Sequence, residues 1–320
     1  MPATVSITRE ASYERERVDA AVEAVLEPLG GMRAFVRAGE RVLVKPNLLG
    51  VAPPERCVTT HPEVVRAVLR RVVDLGAHPY VGDSPSMASG RWAAKKAGIL
   101  DVCEEFGVPF VEFKRPRKAP NPRGRVFTHL TLDAAALEAD AIINCPKVKA
   151  HRQCYFTCAV KNLFGCVSGK RKALWHFKAG NYANYFAYML VENWNLLRPV
   201  VSVVDGVMAM EGDGPGDGTP YPLGLLLAGT DAPAMDRVLL EILGADPDLH
   251  GQTLAARELG HGETDLARIA IHGPALETLK VTDFHMPPKM VPIGFSLPRV
   301  VKSTLKGTWT QSRERSGHAA

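Results

Sequence analysis

RVLVKPNLLGVAPPERCVTTHPEVVRAVLRRVVDLGAHPYVGD, residues 41–83, decides the fold. Its first five residues, 41–45, are a β-branched apolar run that predicts a strand, and 79–82 predict another. Between them Val64, Val65, Val68, Leu69 and Val72 recur at helical spacing, which predicts a helix over 62–75. Pro62 suits its first turn, Thr60 and Glu63 have the spacing of a capping box, and Gly76 ends it.

The pattern continues outward. Strands are expected at 108–112, 141–145, 200–204 and 223–228, and helices near 18–29, 89–106, 184–197 and 232–243. Strands alternating with helices predict an α/β fold of mostly parallel sheets covered by helices. It is one large domain or two α/β lobes with the site between them. The expected division is an N-terminal lobe over 1–145, a second lobe over 146–285 and a C-terminal tail over 286–320. Polar segments punctuated by Gly and Pro follow the strands at 46–60, 83–90, 146–169 and 205–222. In an open parallel sheet such loops lie at the carboxyl ends of strands, where ligands bind.

Composition narrows the class. The chain has 320 residues, 46% hydrophobic and 23% charged, near the globular average, which excludes wholesale disorder. No apolar run approaches the roughly 20 residues that a membrane helix needs. The N-terminus lacks the basic-then-apolar order of a secretory signal. Six scattered cysteines without a C-x-x-C pair fit a reducing compartment, so a soluble, cytoplasmic protein is expected.

The net charge of +5 is unevenly spread. Residues 141–191 contain no Asp or Glu, yet hold Lys147, Lys149, Arg152, Lys161, Lys170, Arg171, Lys172 and Lys178. Such a field attracts phosphate or carboxylate groups, unless it is merely a solvated basic face. Apolar Val148, Leu163, Phe164 and Trp175 interleave with the cations, and Asn162, Gly165 and Gly169 fit a backbone that approaches something closely. His151 and His176 flank the segment. Cys154 and Cys158 would share a face if their region were helical, but their spacing with Cys166 matches neither a ferredoxin nor a zinc ribbon.

Strand ends supply further candidates. Lys45-Pro46-Asn47 closes one strand, where a lysine can meet an anion. His61 precedes a helix N-terminus, a place for an anion or a proton-transfer group. Asp83 reads as a helix cap, a hydroxyl acceptor or a metal ligand. The loop after Val204 gathers Asp205, Glu211, Asp213 and Asp217, carboxylates able to orient lysines, act as bases or hold a cation. No P-loop, dinucleotide fingerprint or nucleophile elbow stands in the right context.

Six ordered segments resemble the bacterial and archaeal family called domain of unknown function 362. They are Val44-Lys-Pro-Asn-Leu-Leu, Thr60-His-Pro-Glu-Val-Val, Val81-Gly-Asp-Ser, Asn144-Cys-Pro-Lys-Val-Lys-Ala-His, Val160-Lys-Asn-Leu-Phe-Gly, and 205–218 with Met235-Asp236 beyond. Members often occur with ferredoxin-type iron–sulfur segments. The resemblance therefore implies redox chemistry or a ferredoxin-like electron donor, with any cluster on a partner protein because this chain has no cysteine-rich tail. A weaker resemblance to nickel-dependent lactate racemase implies a pincer cofactor tethered by Lys161, a metal on His176, and His61 or His151 handling protons.

The expectation is an enzyme binding a carboxylated or phosphorylated metabolite. Lys45, Asn47, Asp83, Lys147, Lys149, Lys161, Asn162 and Glu211 form the ligand or cofactor contacts, and His61, His151, His176 and Asp205 are the catalytic groups. Redox chemistry is favoured over isomerisation, and the remaining alternative is a non-catalytic binding or scaffold protein whose basic segment grips an anion, an acidic partner or nucleic acid. The run over 293–309 is basic and mildly amphipathic, and reads as a lid, a membrane-surface contact, a docking arm or a loose terminus.

Overall fold

The computed structural model describes residues 2–85, 89–169, 171–179 and 183–294. In the first part of the chain lie β1 (Thr4–Arg9), α1 (Arg15–Leu26), β2 (Arg41–Pro46), α2 (Pro62–Asp74), β3 (His78–Asp83), α3 (Gly90–Lys96), α4 (Ile99–Glu105) and β4 (Phe110–Glu112). A hairpin of β5 (Pro116–Pro120) and β6 (His129–Asp133) follows, then α5 (Ala134–Leu137) and β7 (Ala141–Cys145). The basic segment forms β8 (Lys147–His151), β9 (Tyr155–Thr157), α6 (Ala159–Asn162), α7 (Arg171–Ala179) and α8 (Ala183–Leu197). After it come β10 (Val201–Glu211), β11 (Thr219–Tyr221), β12 (Leu225–Gly229), α9 (Ala232–Ile242), α10 (Gly251–Leu259) and β13 (Ala270–His272).

Eleven of these strands make one sheet with the order β13-β1-β12-β10-β7-β2-β3-β4; β11 and β8 pair with β10, and β9 pairs with β8. From β10 to β4 every neighbour is parallel, and antiparallel β12 joins this block to β1. The fold is thus mixed α/β with a large, mostly parallel sheet flanked by helices. Parallel strands covered on both faces must be apolar throughout, as Val42, Leu43, Val44 and Ile142, Ile143 are. One apolar cluster packs α1, α2 and α4 on one face; the other packs α8, α9 and α10 on the opposite face.

Several local expectations are corrected. The N-cap of α2 is His61, whose Nδ1 accepts the Glu63 N–H, rather than Thr60. The Thr60 hydroxyl instead donates to the Cys145 carbonyl at 2.6 Å and accepts the Asn47 N–H at 2.8 Å, tying two strand ends together. The helix expected over 89–106 is two helices, broken where Gly98 takes φ +72°. The region of Cys154 and Cys158 is a turn and the short strand β9, not a helix. The expected loop over 146–169 contains β8, and β10 extends through Asp205 to Glu211.

Candidate functional site

Because β2 and β3 are adjacent and parallel, Lys45 and Asp83 arrive at the same edge of the sheet. Lys45 Nζ lies 3.0 Å from Asp83 Oδ1, and both side chains are buried. Lys45 also donates to the Pro46 carbonyl at 2.7 Å, while Asp83 accepts the Leu48 and Ser84 N–H groups at 2.8 and 2.7 Å. A buried pair satisfied on both sides is a tolerable charge. Gly165 packs directly on it: a Cβ there would sit 2.1 Å from Asp83 Oδ1 and 2.5 Å from Lys45 Nζ.

A second pair forms where β8 lies beside β10, with Lys147 opposite Asp205. Lys147 Nζ is 2.8 Å from Asp205 Oδ2 and donates to the Tyr13 hydroxyl oxygen at 2.8 Å; that hydroxyl donates to Asp205 Oδ1 at 2.7 Å. The backbone N–H of His61 donates to Asp205 Oδ2 at 2.8 Å, and the His61 ring stacks on Tyr13 at 3.5 Å. Burial, with Asp205 beside it, pushes the Tyr13 hydroxyl well above its ordinary pKa. Burial lowers His61 to about 4 against the opposing pull of Asp205, so its ring is neutral near pH 7.

Next to the first pair opens a cavity of ≈ 250 Å³ lined by Asn47, Asp83, His151, Lys161, Lys172 and His176, among others. The lysines here differ from Lys45 and Lys147. Lys149 donates to Asn47 Oδ1 at 2.6 Å and the Val58 carbonyl at 2.8 Å, and pairs with no carboxylate among the described residues. Burial pushes it well below the ordinary lysine pKa, and repulsion from Lys161 and Lys147 adds to this. Lys161, partly buried, has no hydrogen bond or ion pair among the described residues, and burial lowers its pKa. Lys172 donates to the Ser84 carbonyl. Burial takes it down to about 8, with Asp83 opposing.

Three asparagines align the floor. Asn47 donates to Asn162 Oδ1 at 3.0 Å, and Asn162 donates to Asn144 Oδ1 at 2.8 Å and the Lys45 carbonyl at 3.1 Å. Asp236, from α9, accepts the Ala159 and Val160 N–H groups at 2.7 and 3.2 Å and so anchors α6, which carries Lys161 and Asn162.

The two cavity histidines hold opposite tautomers. His151 Nδ1 accepts the Gln153 and Cys154 N–H groups at 3.1 and 3.2 Å, which puts its proton on Nε2. His176 Nδ1 lies 3.1 Å from the Ile293 carbonyl, a contact that requires the proton on Nδ1 and makes Nε2 the basic nitrogen. Burial, then the nearby Lys161 and Lys149, holds His151 well below its ordinary pKa. Burial lowers His176 to about 4, partly offset by the Ile293 bond.

The expected residues therefore fall into three places. Asn47, Asp83, His151, Lys161, Asn162 and His176 line the cavity; Lys45 and Lys149 are hydrogen-bonded to its lining. His61, Lys147 and Asp205 form the neighbouring cluster with Tyr13. Glu211 lies apart, accepting the His285 N–H at 2.8 Å and lining a separate cavity with Asp213 and Asp217. Cys154, Cys158 and Cys166 are buried free thiols raised by burial, and among the described residues no three His, Cys, Asp or Glu side chains are grouped to hold a metal ion. Lys170 and most of 293–309 lie outside the described residues. Sequence reasoning missed Tyr13, which no motif signals, and did not separate Lys172 from its basic neighbours.

Fold and site together define an open-sheet α/β protein that gathers buried cations at the carboxyl ends of parallel strands. The chain belongs to the family described as Domain of unknown function (DUF362), whose model matches residues 42–241. A thylakoid-associated protein of Synechocystis sp. (strain ATCC 27184 / PCC 6803 / Kazusa) is 44% identical over 307 residues, 96% of this chain and 94% of the relative. Among solved structures, the lactate racemase apoprotein from Thermoanaerobacterium thermosaccharolyticum matches with TM-score 0.43 and 13% identity, over 72% of this chain and 54% of that one. A Thermotoga maritima protein matches with TM-score 0.40 and 12% identity, over 67% of this chain and 55% of that one. The chain spans about half the length of these two structures. Among the described residues no helix is long and apolar enough to cross a membrane.

Proposed function

We propose that the chain is an enzyme that binds a small carboxylated or phosphorylated metabolite in the cavity and moves a proton on it. The observation that carries this reading is the set of lysines without carboxylate partners among the described residues: Lys161 and Lys172 line the cavity, and Lys149 is bonded to its wall through Asn47. A desolvated ammonium without a counter-charge is costly, and an anion entering the cavity removes that cost. His151 offers an Nε2–H donor and His176 a basic Nε2, so the pair has the complementary states that proton abstraction and return require. An anion beside them offsets the lysine charge and raises both toward the neutral range. This favours an isomerisation or related proton transfer over the redox chemistry that the family's iron–sulfur associations imply. Asp205 and His61 act here as positioning residues, through Lys147 and β8. A metal on His176 would take further ligands from outside this histidine.

The test compares intact wild-type protein with Lys161→Met, both purified without air exposure. Mass spectrometry and metal analysis identify any retained species, and thermal melts are run against small carboxylates and phosphate esters. Stabilising carboxylates or phosphate esters are then incubated in D₂O. Wild type should be stabilised by an anion and should exchange substrate C–H for deuterium; Lys161→Met should lose both while melting close to wild type. If Lys161→Met keeps the same bound species and activity, the reading fails. Turnover that depends on reduced ferredoxin and produces no exchange would replace proton transfer with reduction.

A further inference from the structure

The opposite end of the sheet carries a second concave surface. Between the end of α8 and the start of β10, and beside the β12–α9 junction, an open groove of ≈ 740 Å³ is lined by Arg123, Arg125, Trp194, Arg198, Asp231 and His261, among others. We infer that this groove binds a small phosphate ester or pyrophosphate, separately from the cavity ligand.

The side-chain contacts among the described residues leave its charge unbalanced. Arg123, Arg125 and Arg198 are exposed, and none makes an ion pair among the described residues. Among the described residues the one carboxylate in the lining, Asp231, is already committed: it accepts the Ala234 N–H at 2.9 Å, as the N-cap of α9, and the Glu263 N–H at 3.1 Å. The adjoining groove provides an internal control. Its arginines all have acidic partners, Arg237 with Glu241 at 3.1 Å, Arg257 with Asp248 at 3.4 Å and Arg268 with Asp265 at 3.4 Å. Ordinary surface arginines in this region are neutralised, and those of the first groove are not.

The groove is also held in shape. Glu192, fully buried in α8, accepts the Arg125, Val126 and Phe127 N–H groups at 2.7, 2.7 and 3.0 Å, which staples the loop carrying Arg123 and Arg125 to the helix. Arg123 donates to the Asn195 carbonyl at 2.9 Å, fixing its guanidinium toward α8. Arg198 follows α8 with φ +43°, a left-handed conformation in which glycine is unstrained and arginine is not. An arginine at that strained position, beside two others without counter-charges among the described residues, points to a ligand for the guanidinium groups. Guanidinium forks match phosphate oxygens bidentately, and the partly buried Trp194 offers a flat apolar wall for the organic part of an ester.

The test is calorimetric titration of the full chain with pyrophosphate, with tryptophan fluorescence as a second signal. Saturable binding is expected, weakened tenfold or more in Arg123→Gln and in Arg198→Gly. Arg198→Gly should melt no lower than wild type, because glycine relieves the positive φ, so lost binding there cannot be lost folding. Arg257→Gln in the adjoining groove should bind as wild type does, and Lys161→Met, which alters only the cavity, should keep the binding transition that Arg123→Gln and Arg198→Gly weaken. Four results would overturn the inference. These are no saturation at millimolar pyrophosphate, equal weakening in Arg257→Gln, loss only in Lys161→Met, and tighter, steeply salt-dependent binding of a single-stranded oligonucleotide.

Discussion

Lys45 and Lys147 each end against a buried carboxylate, Asp83 and Asp205, whereas Lys149, Lys161 and Lys172 end against carbonyl or amide oxygens or against open cavity. Lys45, Lys147, Lys149 and Lys172 are all buried at the same end of the same sheet, so burial alone does not distinguish the two groups. Partnership does. A paired buried lysine is part of the scaffold, because its charge is answered in the folded chain. An unanswered one lowers stability until something outside the chain answers it.

This contrast can be broken first at the pairs. Removing one partner leaves the other charge buried alone, so Asp83→Ala or Asp205→Ala should each cost about 3–5 kcal/mol of unfolding free energy in chemical denaturation. A loss as small as that of a surface substitution would place these lysines with the unanswered group. Gly165→Ala should come next. Its Cβ would overlap Asp83 Oδ1 and Lys45 Nζ, and forcing that contact should cost about 1–3 kcal/mol. A Gly165→Ala protein as stable as wild type would show that the pair shifts freely.

The smaller effects lie in the unanswered group. Lys172 titrates near 8 in the folded chain and near 10.5 when unfolded. Between those values the unfolded chain holds a proton that the folded chain has released, so this lysine makes stability rise with pH. From pH 8 to pH 9 the wild type should gain about 1 kcal/mol relative to Lys172→Met, the thiol contributions cancelling between the two. Parallel stability curves for the two proteins would show that Lys172 is not desolvated as described. Lys161→Met, which deletes a partly buried charge with no partner among the described residues, should raise stability slightly in chemical denaturation, the smallest change of the series.

The strand-end rule made most of the cavity legible in sequence. Lys45, Asn47 and Asp83 close strands whose apolar runs stand out, and the acid-free segment marked His151, Lys161, Asn162 and His176. It failed where partners lie far off in the chain or where a local pattern competes. Tyr13 bonds Asp205 across 192 positions, a pairing fixed only by sheet order. Lys147-Val-Lys-Ala-His has the polar–apolar alternation of a strand, but its charges place it in the expected loop over 146–169; it is the buried strand β8, because Asp205 and Asn47 receive its lysines. Thr60 and His61 both suit a cap, and only the bond from Thr60 to the Cys145 carbonyl decides between them. Glu211 shared a predicted loop with Asp205, but six further residues of strand carry it to a different cavity.

The outermost strands of the large sheet, β4, β9, β11 and β13, are each only three residues long. A long, flat outer strand would present a row of unpaired N–H and C=O groups on which another chain could extend the sheet. Here the long apolar strands are all interior, and each free border ends before such a row can form. The native molecule thus offers little template for intermolecular pairing. That protection is local: fraying of β4 would bare Val81, Gly82 and Asp83 of β3, so conditions that loosen residues 110–112 should be those under which the protein begins to aggregate.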